Sequence, residues 1–334
     1  MGTNFIPVVI LKIWLQASPV PGQALPVHLP ENVEINLISI VILSRGKCSL
    51  SKCITLYLSA MVVTDLLVII TEVILFRISN AFFPGSLLSI TPVCSVIAVL
   101  TRASRDSSVW LTITFSFDRF VAICCQKQKT KYCTKKTASV VIATTCILLS
   151  LKSTVWYFIY EPQEIIENVA WFCNIKPSYF TELGWVAFDW FDTILTPMLP
   201  FALILLLNAL TVRHILVTSR VRKGLRGQNK GENHVDSEME SRKKSIILLF
   251  AISGSFILLW LTDVTGFLYY ITAETILFEF HSLNTFRRVG YMLQCLSSCT
   301  NTFIYVLTQG KFRQQFKSVM KYPIIMTFKL VGKN

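Results

Sequence analysis

Six apolar runs along the chain are long enough to cross a bilayer: approximately Ile54 to Phe76, Thr91 to Ile123, Thr137 to Tyr160, Val186 to Leu216, Ser245 to Ile271 and Arg288 to Thr308. A helix needs about 20 mostly apolar residues to span roughly 30 Å of hydrocarbon. Helices are the natural assignment, because each closes its backbone hydrogen bonds within its own segment, and the period-two alternation of barrel strands is absent. The expected fold class is an all-α membrane protein, a helix bundle. A further run, Ile35 to Leu43 (INLISIVIL), follows a stretch containing Pro19, Pro21, Pro26, Pro30, Glu31 and Glu34. Nine helical residues reach only about 13 Å. Two readings of this region stay open: a seventh span with a degenerate outer half, or a cleaved signal whose core is Phe5 to Leu15. Against the signal, Lys12 interrupts that core and the basic flank is missing. On the first reading residues 1–34 form an extracellular amino terminus, 35–308 a seven-span domain and 309–334 a cytoplasmic tail.

Composition agrees with a membrane assignment, since 53% of the 334 residues are hydrophobic and 15% charged, against about a quarter charged in soluble domains. The net charge of +13 raises nucleic acid as a partner, so the placement of the bases has to decide. With the amino terminus outside, the four cytoplasmic segments hold 24 of the 32 Lys and Arg residues. The positive-inside rule therefore reads the charge as topology, with the amino terminus extracellular, the carboxyl terminus cytoplasmic and no nucleic-acid role. Of ten cysteines, only Cys94 and Cys173 sit at extracellular ends, where disulfides persist, and they are the natural pair. No Cys/His spacing suits zinc. Cys124 and Cys125 lie beside the membrane, where acylation and unmodified thiols are both open.

Ionisable groups inside spans are expensive and mark functional candidates. Asp65 lies mid-span, and the polar groups at similar depth are Asn36, Ser108, Ser298 and Asn301. Together they resemble a site for a hard cation or water, and equally a polar cluster holding helices together. Sodium at Asp65 is the only ion expected and no cofactor is implied. The third span carries Cys94 at its top and Asp118-Arg119-Phe120 at its base. The 25-residue interval from Cys94 to Arg119 is about 37 Å of helix, a full crossing. A helix pinned outside and charged inside suits the passage of an outer change inward.

At these residues the sequence resembles the rhodopsin-like G-protein-coupled receptors, and the match is distributed over the spans. Asn36 matches the first span's polar anchor, Asp65 the acidic residue of the second, Cys94 and Cys173 the bridge, and Asp118-Arg119-Phe120 the DRY motif. Pro200 matches the fifth span's proline, Phe256 and Trp260 the aromatic pair of the sixth, and Asn301 to Tyr305 (NTFIY) the NPxxY motif. Within the family the chain most resembles orphan receptors near the peptide and aromatic-amino-acid receptors. The resemblance implies a seven-helix bundle with a short amphipathic eighth helix, in the plasma membrane. It implies partners in a heterotrimeric G protein and an extracellular ligand, a peptide or an aromatic amino-acid-like molecule, and it implies no enzyme activity.

There are departures from the family pattern. Thr262 and Thr302 replace prolines, Asn208 replaces a tyrosine, the fourth span lacks its tryptophan, and Arg242 stands where an acid would face Arg119. The last of these predicts raised basal signalling. Arg102 and Arg105 lie at the depth where the family binds ligands and are both candidate ligand-binding cations; Arg102 is equally well spaced to pair with Asp106 along the helix, which would leave that role to Arg105. Glu72, Asp189, Asp192 and Asp263 are the candidate facing acids. Trp260, Phe267, Tyr269, Tyr270, Trp185, Phe188 and Trp190 are candidate aromatics for a zwitterionic ligand with an aromatic side chain. After the last span, Phe312 and Phe316 share one face of an expected interfacial helix.

Other classes fit less well. A transporter would be expected to show broken Gly/Pro helices and internal repeats. An intramembrane enzyme using Asp65 and Asp263 lacks flanking motifs to set their geometry. A degenerate, non-signalling receptor copy is the remaining alternative, suggested by the weak first span and the absent N-x-Ser/Thr sequons.

Overall fold

Seven helices run the length of the bundle in this computed structural model, which describes residues 29–46, 48, 50–225, 235–273 and 280–319, with the side chains of 29–32, 81, 219–242, 267–288 and 291 outside that description. Helix α1 is Leu29–Ser44. Its 16 residues reach about 24 Å, longer than the nine-residue run implied, because Pro30 is tolerated in a first turn and acids near a helix start meet the positive end of its dipole. Helix α2, Lys52–Val68, is opened by Ser51, whose hydroxyl accepts from the Ile54 amide at 3.3 Å. It continues into a π-helical stretch, Ile69–Ile78. Helix α3 is Thr91–Cys124, and α4 is Lys135–Ser153, capped by Thr134 and prolonged by the 3-10 turns Thr154–Ile159.

Helix α5 is broken. An outer segment, Leu183–Thr193, and an inner one, Leu199–Leu225, flank Ile194–Met198, where Thr196 leaves helical geometry at φ −149° and ψ 110°. The break falls at Pro197, not at the family-matching Pro200, which lies in the first turn of the inner segment. A proline inside a helix removes one amide donor and clashes with the preceding turn. Helices α6 (Val235–Ala273) and α7 (Phe280–Thr308) run through Thr262 and Thr302 without interruption. A short α8 occupies residues 310–319.

Among the described residues, four helices are long and apolar enough to cross a membrane: Lys52–Ile78, Lys135–Ile159, Leu183–Thr218 and Lys243–Gly266. The six expected spans are all helical, but α3 and α7 carry the bundle's polar positions, and the apolar part of α1 is only Val33–Ser44. Helix α3 is the axis, packed by α2, α4, α5 and α6. One buried cluster joins α1, α2, α3, α6 and α7 around Tyr57, Met61, Phe115, Leu248 and Tyr305, and another joins α3, α5 and α6 around Ile113, Ile204, Phe256 and Trp260.

The all-α expectation misses one element, an antiparallel hairpin between α4 and α5. Strand β1 (Tyr160–Ile166) pairs with β2 (Val169–Ile175), with Tyr160 opposite Ile175 and Ile166 opposite Val169. The turn residues Glu167 and Asn168 have φ of 49° and 65°, the geometry of a two-residue hairpin turn. The Cys94–Cys173 disulfide ties β2 to α3 over a separation of 79 residues, and Thr91 Oγ1 donates to the Phe172 carbonyl at 2.9 Å beside it.

Candidate ligand cavity and its polar floor

Helix α3 turns one face toward a cavity. Thr101, Arg105, Ser108, Val109 and Thr112 line it, at spacings of four, seven, eight and eleven that keep them on one side of a 3.6-residue helix. Opposite stand Val68 and Glu72 of α2, Ile252, Ser255, Phe256 and Trp260 of α6, and Gln294, Cys295, Ser297, Ser298 and Asn301 of α7. The cavity and the solvent that opens into it measure about 580 Å³, with room inside for a water molecule. Phe256 and Trp260 stack at 5.3 Å between centroids and 22° between planes.

The floor is made of two hydrogen-bonded sets that between them join four helices. Asp65, fully buried, accepts from Ser108 Oγ at 2.5 Å with one carboxylate oxygen and from Asn301 Nδ2 at 2.7 Å with the other. Asn36 Nδ2 donates to the Ser298 carbonyl at 3.5 Å, and Thr302 Oγ1 donates to Asn36 Oδ1 at 3.1 Å. The structure thus brings together Asn36, Asp65, Ser108, Ser298 and Asn301. It adds Thr302, whose hydroxyl exists because the expected proline is absent.

The other expected ligand residues separate. Glu72, Arg105 and Trp260 line the cavity, whereas Arg102, Asp192 and Asp263 do not. Arg102 follows Thr101 by one residue, about 100° around the helix and off the cavity face. Its expected pairing with Asp106 does not form. Asp106 instead pairs with Lys152 of α4, Lys152 also pairs with Asp192, and Arg102 reaches Asp192 at 3.6 Å while lying 3.8 Å over the Trp156 ring. Glu72 Oε1 accepts from Arg77 at 2.7 and 2.9 Å. The π-helical register of i to i+5 is what stacks those two residues. Asp263 packs against α7 at Gly290, where an added Cβ would lie 3.6 Å from its carboxylate.

Asp189 accepts from the Tyr179 hydroxyl, and burial together with that carboxylate pushes the Tyr179 phenol well above its ordinary range. Trp185 and Phe188 join Trp156 and Tyr179 in an outer aromatic cluster, and Trp190 is exposed. The side chains of Phe267, Tyr269 and Tyr270 lie outside the described residues.

At the cytoplasmic end, Asp118 pairs with Arg119, whose Nε lies at 3.0 Å. Two thiols unforeseen from the sequence hold the acid: Cys53 donates to Asp118 Oδ1 at 3.3 Å and Cys133 to the Asp118 carbonyl at 3.6 Å. Arg119 Nη1 also reaches Ser245 of α6 at 3.5 Å. Arg242, expected opposite Arg119, has its side chain outside the described residues. Phe120 is half-buried on α3. Asn208 Nδ2 donates to Ser253 Oγ at 2.9 Å, joining α5 to α6 where the family has tyrosine. Tyr305 is fully buried, edge-on to Phe312 at 5.9 Å. Phe312 is itself fully buried, so α8 docks one aromatic into the bundle instead of laying both phenylalanines in the membrane surface.

A bundle of this order, bridged outside between α3 and the hairpin and ending inside in an Asp-Arg pair on α3, has the architecture of a seven-helix membrane receptor. The profile of the "7 transmembrane receptor (rhodopsin family)" matches residues 35–305, and the chain belongs to that family. It is therefore a multi-pass membrane receptor and not an enzyme. It is 24% identical over 296 residues to the FMRFamide receptor of Drosophila melanogaster, a stretch covering 84% of this chain and 50% of that receptor. The chain accordingly spans about half the length of the curated relative it matches.

Proposed function

We propose that the chain binds an extracellular ligand in the cavity between α2, α3, α6 and α7 and passes the change to a heterotrimeric G protein at its cytoplasmic face. The observation that carries this is the continuity of α3. The same helix bears the outer disulfide, the cavity wall from Thr101 to Thr112 and the Asp118-Arg119 pair. Ligand contacts that differ between two arrangements of the bundle would shift their populations, which is all the coupling requires. The ligand class is a peptide, supported by the name of the Drosophila relative and by a narrow cavity that suits an inserted side chain. Arg105 supplies a cation for a carboxylate, and Trp260 and Phe256 supply stacking area. The protein works in the plasma membrane with its amino terminus outside.

Ser108 and Ser298 line the cavity and Ser108 meets the Asp65 carboxylate, an oxygen set that fits a hard cation such as sodium. In this role the ion would hold α2, α3 and α7 together and add no chemistry.

The test is Arg105→Ala, assayed with aromatic peptides that carry a free carboxylate by nucleotide exchange on the G protein. Loss of response at unchanged surface expression supports the reading; an unchanged dose-response curve refutes it. Because the described partner of Arg119 on α6 is the neutral Ser245 at 3.5 Å and not an acid, exchange without ligand is expected above that of mock cells. Equal levels would remove that part of the proposal.

A further inference from the structure

The outer segment of α5, Leu183–Thr193, has an unusual attachment. Asp192 is its one fully buried residue, while Trp190, Phe191 and Ile194 just beyond it are 39%, 54% and 53% exposed. Helical continuity with the inner segment is interrupted at Thr196 and Pro197. The segment's place over the bundle is therefore set by side-chain anchors, and its buried anchor is a charge. Asp192 pairs with Lys152 of α4 and lies 3.6 Å from Arg102 of α3. Lys152 in turn pairs with Asp106 of α3, whose second oxygen, Oδ1, is buried without a hydrogen-bond partner. One ammonium thus bridges two almost fully buried carboxylates on helices 3 and 5 from a position on helix 4.

We propose that Lys152 is the positioning residue that holds the outer segment of α5 against α3 and α4, and that its loss loosens α3 at Asp106, beside the cavity-lining Arg105. The ammonium suits the role because it is a compact charge on a flexible stem with three donors, able to serve two carboxylates at once. The segment's other contacts are aromatic: Phe188 lies 5.9 Å from Trp156 in the 3-10 turns that prolong α4, and Trp185 lies 6.4 Å from Tyr179. Leu183, Trp190 and Phe191 face outward, Asp189 meets Tyr179 of the neighbouring loop, and Thr196 below the segment is held by Trp110 Nε1 at 3.3 Å, so Lys152 and Arg102 supply its charged attachment to α3 and α4. The consequence for signalling rests on the receptor reading above; the anchoring does not.

Lys152→Met alone would strand two buried carboxylates and endanger folding. The informative variant is therefore Lys152→Met with Asp106→Asn and Asp192→Asn, which removes all three charges at nearly constant shape, beside Lys152→Arg, which keeps the cation. Amide hydrogen exchange is measured on purified full-length protein, with nucleotide exchange on a G protein in parallel. The expected result is at least fivefold faster amide exchange across residues 183–198 in the neutral variant, unchanged exchange across 248–256, and wild-type protection in Lys152→Arg. Wild-type protection of 183–198 in the neutral variant would overturn the proposal, as would equal loss of protection in 248–256, which would make Lys152 a general fold residue. Faster exchange at 183–198 without any change in nucleotide exchange would uphold the anchoring and count against the signalling reading instead.

Discussion

Asp118 organises the cytoplasmic end through partners that no motif announces. Burial and the neighbouring carboxylate push the Cys133 thiol from its ordinary value of 9.0 up to about 11. Only the thiolate is nucleophilic, so at pH 7.4 its reactive fraction falls roughly a hundredfold. Maleimide labelling of Cys133 in the folded protein should be about a hundredfold slower than in denatured chain; equal rates would contradict the burial. At Asp65 the expected effect concerns salt. With sodium at ten times its dissociation constant, linkage adds about 1.4 kcal/mol of stability. Melting temperature should therefore rise by a few degrees in sodium over an organic-cation chloride, and Asp65→Asn should abolish the difference. The Asp65 partners are legible because intramembrane polar residues are rare enough to be matched by depth. Lys152 and Thr302 escape the same reading, since partner choice depends on which way each helix faces, and that is set by packing across helices.

Elements carry the constraints that single residues cannot. The Cys94–Cys173 bridge closes a loop of 79 residues, for which chain entropy predicts stabilisation of about 4.5 kcal/mol. Cys173→Ser should free the hairpin and sharply reduce surface display; unchanged display and melting would show the bridge to be dispensable. Between α5 and α6 the Asn208–Ser253 hydrogen bond is worth about 1 kcal/mol, about a fivefold change in a population ratio. Asn208→Leu should raise ligand-independent nucleotide exchange by about that factor, measured at matched expression. The spans were readable as elements because about 20 apolar residues in sequence permit little but a helix. The hairpin was not, since its strands hold Trp171, Phe172 and three isoleucines among polar residues without clean alternation. Asn168 between Ile166 and Val169 was the only turn signal.

For the whole molecule, orientation is the property to measure first. Tags at both ends, read on intact and permeabilised cells, should show the amino-terminal tag outside and the carboxyl-terminal tag inside. Both on one side would mean an even number of spans and would detach α1 from the bundle. Here α1 is joined to α7 by Asn36 through Ser298 and Thr302, so its shortness is offset by polar contacts that close on the last helix.

Apolar run length and the placement of basic residues were enough to read a membrane helix bundle and the outer cysteine pair, and to predict an orientation, because these follow from local composition and from which side of a bilayer a charge can reach. The motif residues on α2, α3 and α7 could be read for the same reason, since a polar side chain inside hydrocarbon has few places to go. Which arginine faces the cavity, where α5 breaks, and that Lys152 binds two acids depend on the rotation of each helix about its axis. That rotation emerges only when seven amphipathic surfaces are packed together.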